Sequence, residues 1–145
     1  MNQKTVLLVD DEQAFLEALD DALTHEGYRV LKARDVSAAI DILKREHVDV
    51  VSIDVMLSPG AQLEGTVNAQ QAGVYLCEFV RREYPQIDAF CLSVVSDTAT
   101  IQRIQHLGVR FLRKGETPLR TVLNMMRSRL TGIAYSTERD SKGRR

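Results

Sequence analysis

The sequence predicts an α/β fold in which helices cover both faces of a five-stranded parallel sheet. Short apolar segments alternate five times with segments of helical period along the 145 residues. The apolar segments are rich in Val and Ile, which is typical of strands buried on both faces. Three of them end at charged residues, Asp10, Asp54 and Lys114. Strand–helix alternation with right-handed crossovers gives a doubly wound sheet, and we predict the strand order 2-1-3-4-5.

Length and composition agree with one domain that has a sizeable core. The chain is 44% hydrophobic, and glycine and proline together number only 11. The net charge of −1 gives no general attraction to nucleic acid or membranes. The sequence contains no recognisable signal peptide and no apolar run of membrane-spanning length, so we expect a cytoplasmic protein. Cys77 and Cys91 lie in apolar segments, which predicts buried thiols in a reducing compartment.

The five strands are predicted where apolar runs stand between turn and helix signals, at residues 5–9, 28–33, 48–55, 87–93 and 109–113. The second strand carries more polar residues, which predicts one more exposed face.

The first two helices are predicted from apolar residues that recur at helical spacing. In the first helix these residues are Ala14, Phe15, Ala18, Leu19, Ala22 and Leu23. Acidic residues at its start suit the positive end of a helix, and Gly27 is a natural stop. In the second helix they are Ala39, Ile40 and Leu43, and the helix is expected to end near His47.

The second half of the chain begins with an irregular segment. Residues 58–68 contain two glycines and a proline with little periodicity, and we predict a long loop. The third helix is predicted at 69–84, the fourth at 98–107 and the fifth at 117–130, where Pro118 fits the first turn.

The apolar residues assigned to the core of the third helix are Val74, Leu76, Phe79 and Val80, and those of the fifth are Leu119, Val122, Leu123, Met126 and Leu130. We therefore assign residues 1–131 to one domain and 132–145 to a polar tail or the start of a linker.

The predicted strand order makes the first and third strands neighbours and brings Asp10, Asp11 and Asp54 to one crevice. Close carboxylates repel, and a hard divalent ion such as Mg²⁺ resolves that repulsion. Mg²⁺ in turn suits phosphoryl transfer, in which a carboxylate can act as the nucleophile and form an acyl phosphate. Lys114 could offset phosphoryl charge, and the hydroxyl of Ser93 lies at the same edge.

Each of these residues also has a purely structural interpretation. Asp10 and Asp11 could cap the first helix, and Asp54 could serve a turn. Ser93 alone carries little information, and a lysine such as Lys114 is often a solvated surface group. It is their joint placement on one crevice that favours a phosphoryl-transfer site.

Four segments together resemble the receiver domain of two-component response regulators: Val9-Asp10-Asp11, Ile53-Asp54, Leu92-Ser93 and Phe111-Leu112-Arg113-Lys114. The resemblance extends over residues 4–130, with the motif positions in the family's order and spacing. It implies a flavodoxin-like fold. It also implies that Asp54 accepts a phosphoryl group from a histidine kinase or a phosphotransfer protein.

The resemblance implies roles for the neighbouring residues as well. Asp11 is the direct Mg²⁺ ligand with Asp54, and the backbone carbonyl of Met56 completes the protein ligands. Asp10 assists through water. Lys114 contacts the phosphoryl group.

Ser93 matches the family's switch hydroxyl, and Phe111 matches its switch aromatic residue, although a ring in this position is also expected in a core. Phosphorylation would draw the hydroxyl toward the phosphoryl oxygen and turn the ring inward. That change would shift the face formed by the fourth helix, fifth strand and fifth helix between two states.

The sequence departs from the family pattern at three places. Ser58 stands where the family usually has proline, and Pro59 follows it. The loop after the acceptor is about ten residues longer than usual. Lys114 is followed by Gly115 instead of proline, so a cis-proline turn cannot form there. The long loop either modulates access to Asp54 or is a tolerated insertion.

The last third of the domain is basic, since residues 101–131 carry seven positive groups against Glu116 alone. The predicted output face includes Arg103, Arg110, Arg113 and Arg120, with Arg127 and Arg129 nearby. An acidic partner, an attached output domain or a symmetric mate could bind there, including in a homodimer. The structural alternative is a solvated helix face.

Two other functions are compatible with parts of the sequence. A pseudo-receiver would act only by docking, but the complete acidic pocket argues against it. An aspartyl-phosphate phosphatase would carry a second aspartate two residues after the nucleophile. Here the residue two positions after Asp10 is Glu12, and the residue two positions after Asp54 is Met56. We therefore do not expect an enzyme that turns over an outside substrate. No nucleic-acid-binding module is visible, and the sequence leaves open whether the chain stands alone or belongs to a longer regulator.

Overall fold

A computed structural model describes residues 3–60, 71–95 and 97–132, and in these ranges it shows five strands that alternate with five helices. The strands are β1 (Thr5–Val9), β2 (Arg29–Ala33), β3 (Val50–Ile53), β4 (Asp88–Ser93) and β5 (Arg110–Arg113). The helices are α1 (Gln13–His25), α2 (Val36–Arg45), α3 (Ala72–Glu83), α4 (Thr98–His106) and α5 (Leu119–Thr131). All strand pairs are parallel, in the order β2-β1-β3-β4-β5, which confirms the predicted fold.

The sheet separates two apolar cores because successive residues of a strand point to opposite faces. In β1, Leu7 and Val9 belong to the core under α2 and α3, whereas Val6 and Leu8 belong to the core under α1 and α5. Both cores are closed to solvent, and all five residues of β1 are buried. The continuous apolar sequence of this strand is therefore explained by burial on both faces.

The first helix buries the predicted Leu19 and Leu23, but two of the predicted alanines face solvent. Its buried residues are Leu16, Leu19 and Leu23, whereas Ala14 and Ala18 are exposed. Alanine is tolerated on either side of a helix, so counting it as apolar shifted the predicted stripe. The predicted stop is correct, since α1 ends at His25 and Gly27 follows in the left-handed region with φ of 95°.

The ends of other elements also differ from the prediction. The third strand is shorter than residues 48–55, although Val48 and Val55 are both buried. The fifth helix begins after Pro118, whose ψ of 144° is extended, and Leu119 is 38% exposed rather than in the core.

The predicted loop at 58–68 lies partly outside the described residues, as does the predicted helix start at 69. Its described part, residues 58–60, is ordered against the start of α2. Ser58 forms a parallel bridge with Asp35, and the carbonyl oxygens of Ser58 and Pro59 accept hydrogen bonds from the amides of Val36 (3.1 Å) and Ser37 (3.0 Å). The predicted tail also lies outside the described residues beyond residue 132.

No helix in the described ranges is both long and apolar enough to cross a bilayer. Cys77 and Cys91 are buried free thiols, as predicted. The hydrogen bond with Cys77 and burial both raise the pKa of the Cys91 thiol. Burial and a raised pKa are typical of an inert, structural cysteine.

Candidate functional site

The carboxyl ends of β1 and β3 place two aspartates side by side. Val9 pairs with Ile53 in the parallel register, so the next residue of each strand is Asp10 and Asp54. The ladder continues through this point, since the Asp54 amide donates to the Val9 carbonyl oxygen at 3.0 Å. Both aspartates are buried, at 4% and 6% exposure, whereas Asp11 is exposed. The predicted convergence of the three aspartates is therefore present in the structure.

Lys114 reaches this pair from the end of β5. Its amide donates to the Ser93 carbonyl oxygen at 2.9 Å, which extends the pairing of β4 with β5 by one residue. Its Nζ lies 2.7 Å from Asp10 Oδ2 and 3.2 Å from Asp54 Oδ2, and the side chain is only 10% exposed. Lys114 is thus a partly buried partner of both aspartates and not a solvated surface group.

The turn after Lys114 is built without a cis peptide bond, and the described residues contain none. Gly115 has a φ of 90°, in the left-handed region that glycine adopts without strain. The amide of Thr117 then donates to the Arg113 carbonyl oxygen at 3.0 Å. Glycine therefore closes this turn in a geometry of its own, as the sequence allowed.

The electrostatics of the site reflect close charges with little access to water. Burial raises the pKa of Asp10, and the hydrogen bonds from Lys114 and the Glu12 amide only partly oppose this effect. Burial would lower the pKa of Lys114, but the hydrogen bond to Asp10 and the charges of Asp54 and Asp10 outweigh it, so this pKa is raised. The ammonium is therefore firmly charged and holds together two carboxylates that would otherwise repel.

The acidic cluster has the donor set of a hard divalent cation. Carboxylate oxygens of Asp10, Asp11 and Asp54 lie within 4.8 Å of one another. Two of these aspartates are buried and the third faces solvent, so the cluster is open on one side. All the donors are oxygens with formal negative charge, which is the preference of Mg²⁺. The residues present thus fit the ion that the sequence predicted.

Asp10 does not cap α1, although its carboxylate accepts a bond from the chain just before that helix. Its Oδ1 accepts a hydrogen bond from the Glu12 amide at 2.9 Å, directly before α1. Glu12 is the N-cap residue of that helix, and its own side chain makes no capping bond. One carboxylate oxygen of Asp10 therefore holds the turn that leads into α1, and the other contacts Lys114.

Ser93 lies at the same edge of the sheet and is fully buried. Its Oγ accepts a hydrogen bond from the Val95 amide at 3.3 Å, in the segment between β4 and α4. The hydroxyl is thus directed to the backbone of its own turn, and the described contacts show no bond from it to the aspartates.

Phe111 is partly buried and packs against the core under α2 and α3. The guanidinium carbon of Arg113 lies 5.9 Å from the centre of its ring. The same guanidinium donates to the Val95 carbonyl oxygen at 3.0 Å. Arg113 therefore links the aromatic ring to the segment that follows Ser93.

Met56 is 49% exposed, and its amide donates to Asp54 Oδ1 at 3.0 Å. This bond orients the Asp54 carboxylate from two residues further along the chain. The proposed role of the Met56 carbonyl oxygen in metal binding stays a prediction.

The four arginines predicted for the output face fall into two groups. Arg103 is paired with Glu78 of α3, with its Nε 3.0 Å from the carboxylate, and Arg113 is engaged as described above. Arg110 and Arg120 are exposed and make no hydrogen bond or ion pair within the described parts of the chain. The latter two are therefore the residues of this face that are available to a partner.

Sequence reasoning did not identify two residues around Lys114. Glu12 Oε1 lies 3.1 Å from the ammonium, and Phe15 presents its ring with the centre 4.6 Å from Nζ. Glu12 follows the two aspartates directly, and Phe15 comes three residues later on the same side of α1. That spacing was the available signal, but Phe15 was assigned only to the helix core.

Comparison with known proteins supports a family assignment. Residues 6–124 match the family model described as the response regulator receiver domain. A probable transcriptional regulator ycf27 of Porphyridium aerugineum is 32% identical over 102 residues, or 69% of this chain and 38% of that protein. The transcriptional regulatory protein YvrH of Bacillus subtilis is 31% identical over 100 residues, or 68% of this chain and 37% of that protein. The match thus spans less than two fifths of these relatives.

Solved structures show the same fold. A CheY-like response regulator receiver domain protein from Methanospirillum hungatei superposes with a TM-score of 0.76 at 18% identity, covering 90% of this chain and 96% of that one. A response regulator from Thermotoga maritima gives a TM-score of 0.70 at 24% identity, covering 90% and 99%.

Proposed function

This chain belongs to the response regulator receiver domain family, and on that premise we propose that it is a phospho-accepting switch whose acceptor is Asp54. The observation that carries the proposal is the grouping of Asp54 with Asp10 and the ammonium of Lys114 at one sheet edge. A nucleophilic carboxylate beside a fixed cation is the arrangement that phosphoryl transfer needs, because catalysis of that reaction is mostly positioning and charge neutralisation.

In the proposed reaction a carboxylate oxygen of Asp54 attacks the phosphorus of a phosphohistidine. The new bond joins that oxygen to phosphorus, the phosphorus–nitrogen bond breaks, and the imidazole nitrogen leaves with the electron pair. Lys114 offsets negative charge on the phosphoryl group, because its Nζ lies only 3.2 Å from Asp54 Oδ2. The amide of Met56 holds the carboxylate in orientation during the approach.

Asp11, Asp54 and the Met56 carbonyl would hold Mg²⁺, with Asp10 assisting through water. When bound, Mg²⁺ supplies positive charge that neutralises the carboxylates and the phosphoryl oxygens. The cluster of carboxylate oxygens within 4.8 Å supports this assignment.

The proposed output begins at Ser93 and Phe111. If the Ser93 hydroxyl is drawn to a phosphoryl oxygen, it loses its hydrogen bond with the Val95 amide. The Val95 carbonyl oxygen in turn accepts a hydrogen bond from Arg113, whose guanidinium lies over the Phe111 ring. This chain of contacts supports a shift of the α4–β5–α5 face as the readout.

The proposed partners follow from the family. A histidine kinase or phosphotransfer protein would supply the phosphoryl group, and a downstream protein, an attached output domain or a second copy of the chain would read the α4–β5–α5 face. The relatives ycf27 and YvrH are named as transcriptional regulators and are longer than the matched segment. A cytoplasmic location and the absence of direct nucleic-acid contact by this chain stay predictions.

Intact-mass measurement tests the acceptor. The wild type, incubated with a small acyl phosphate and Mg²⁺, should gain the mass of one phosphoryl group, and chelation of Mg²⁺ should prevent the gain. Asp54→Ala should gain none, whereas Asp41→Ala, an exposed aspartate of α2, should behave as the wild type. An equal gain in Asp54→Ala would assign the phosphoryl group elsewhere, and no gain in the wild type would favour a pseudo-receiver that acts only by docking.

A further inference from the structure

The first turn of α3 lies directly on the backbone of the acceptor. Gly73 donates its amide to the Val55 carbonyl oxygen at 3.1 Å. A Cβ built at Gly73 would lie 2.7 Å from the carbonyl carbon of Val55 and closer still to the carbonyl oxygen of Asp54. Real Cβ atoms do not come within 3.0 Å of such neighbours. Both neighbours are main-chain atoms, so no side-chain rotation could relieve the contact.

The need for glycine at this position comes from the close approach alone. Gly73 does not have a positive φ, so its backbone conformation is one that alanine adopts freely. Gly73 lies within α3, where alanine would otherwise be the better helix former. Replacing Gly73 therefore tests contact with the acceptor backbone without the added cost of a left-handed φ at residue 73.

A second glycine holds the other end of the same segment. Gly60 has a φ of 92°, and a Cβ there would lie 2.6 Å from Ser37 Oγ and 2.7 Å from Asp35 Oδ1. Ser37 Oγ also donates to the Pro59 carbonyl oxygen at 3.0 Å. Residues 54–60, which we call the acceptor segment, are thus fixed on α3 near their start and on α2 at their end.

The two anchors control the geometry of the Asp54 carboxylate. Between them, the Leu57 amide donates to the Val55 carbonyl oxygen at 3.0 Å, and the Met56 amide donates to Asp54 Oδ1 at 3.0 Å. Movement of Val55 would therefore move the amide that orients the nucleophilic carboxylate. A misplacement of about 1 Å can slow a positioned reaction about 100-fold.

We propose that Gly73 and Gly60 are positioning residues for phosphoryl transfer to Asp54, acting through the backbone of the acceptor segment. The inference rests on the proposed function. Gly73 has the larger effect because its Cβ would meet the backbone of Asp54 and Val55 themselves, whereas a Cβ at Gly60 would meet side-chain atoms of Asp35 and Ser37 at the far end of the segment.

The test compares phosphorylation rates with a small acyl phosphate and Mg²⁺, read by intact mass. Gly73→Ala should slow transfer about 100-fold, weaken Mg²⁺ binding in calorimetry, and shift the backbone amide NMR signals of Val55 and Met56. Gly60→Ala should slow transfer by a smaller factor, about 10-fold.

Two control variants separate positioning from loss of stability. Val80→Ala removes buried methyl groups from the same helix away from the acceptor, so it should lower Tm but leave the transfer rate and Mg²⁺ affinity unchanged. Gly27→Ala matches Gly60→Ala because Gly27 has a φ of 95° and a Cβ there would meet nothing within 4 Å. This variant should also transfer at the wild-type rate.

The outcomes are distinct. Transfer at the wild-type rate in folded Gly73→Ala would overturn the proposal, as would equal slowing in Val80→Ala. If Gly73→Ala does not fold, the comparison of Gly60→Ala with Gly27→Ala decides, and equal rates in these two would overturn it. A wild type that accepts no phosphoryl group would instead contradict the proposed function itself.

Discussion

The ammonium of Lys114 contacts three carboxylates, and this explains how two buried aspartates can lie side by side. Asp10 and Asp54 would repel each other strongly because both are shielded from water, and the more exposed Glu12 adds a third negative group beside them. The lysine offsets that repulsion, and the ring of Phe15 supports it from one side. The same charge opposes a divalent cation that approaches the cluster.

Lys114→Met should therefore bind Mg²⁺ more tightly while accepting phosphate more slowly. Once the positive charge of Lys114 is removed, it no longer repels Mg²⁺ or competes with it for the carboxylates, and we expect the Mg²⁺ affinity to rise by about 10-fold. Loss of a charged group that faces the phosphoryl oxygens should slow transfer by about 100-fold. Calorimetry measures the first effect and intact mass against time measures the second.

Lys44→Met is the matched control because Lys44 is an exposed lysine of α2 away from the cluster. It should change neither quantity. Unchanged Mg²⁺ affinity in Lys114→Met would show that the lysine does not oppose metal binding.

At the scale of elements, the order of the strands and the convergence of the aspartates could be predicted from the sequence. Strands rich in Val and Ile that end in Asp10 and Asp54 indicate parallel neighbours, and the structure places both residues at one edge. The buried side of α1 was predicted only in part, because Leu19 and Leu23 are buried as expected, whereas Ala14 and Ala18 look apolar but face solvent.

The parts of the site that could not be predicted depend on close approach between distant segments. The contact of Gly73 with the acceptor backbone leaves no periodic signal in the sequence, and the only signal for the contact of Glu12 with Lys114 is that Glu12 follows Asp11 directly. A single glycine within a helical segment indicates at most that another part of the chain packs closely against it, and does not say which part.

The ion pair between α1 and α5 gives a prediction for pH. Arg127 Nε lies 2.8 Å from Glu26 Oε1, and the hydrogen bond from Arg127 outweighs burial and lowers the pKa of Glu26 below its ordinary value of 4.5. A carboxylate with a lowered native pKa adds stability above its unfolded pKa, and this is lost as pH falls through the native value.

Glu26→Gln should consequently be less stable than the wild type at pH 7, by at most about 1 kcal/mol for so exposed a pair. The difference should shrink as pH falls below about 4.5, the ordinary pKa, and vanish at lower pH. Urea denaturation at a series of pH values measures it. A difference that stays constant across this pH range would contradict the linkage.

At the scale of the whole molecule, charge is divided between the two ends of the chain. Residues 1–100 carry 8 positive and 17 negative groups, whereas residues 101–131 carry 7 positive groups and 1 negative group. The folded domain therefore presents an acidic crevice, and its α4–β5–α5 face carries exposed arginines with no partner of their own in the described residues, Arg110 and Arg120.

We expect phosphorylation to promote self-association through this face, and the variant Arg110→Glu with Arg120→Glu to prevent it. The substitutions reverse the positive charge that these two arginines would offer to acidic groups of the second copy, and the change is confined to this face, so phosphate uptake should be unchanged. Sedimentation velocity before and after phosphorylation measures the association.

Arg45→Glu is the control, because Arg45 lies in α2, which packs beside the β2 edge of the sheet, whereas β5 forms the other edge. A double variant that still associates would contradict the assignment of the face. A wild type that stays monomeric would contradict the homodimer and leave a different acidic protein as the occupant.

The pairing of residues 58–60 with the start of α2 has a consequence for isotope exchange. The amide hydrogens of Val36 and Ser37 are held by the carbonyl oxygens of Ser58 and Pro59, so they exchange with heavy water only when that pairing opens. Deuterium uptake at these two amides therefore measures how often residues 58–60, close to Asp54, detach from α2. The measurement needs no label at the site.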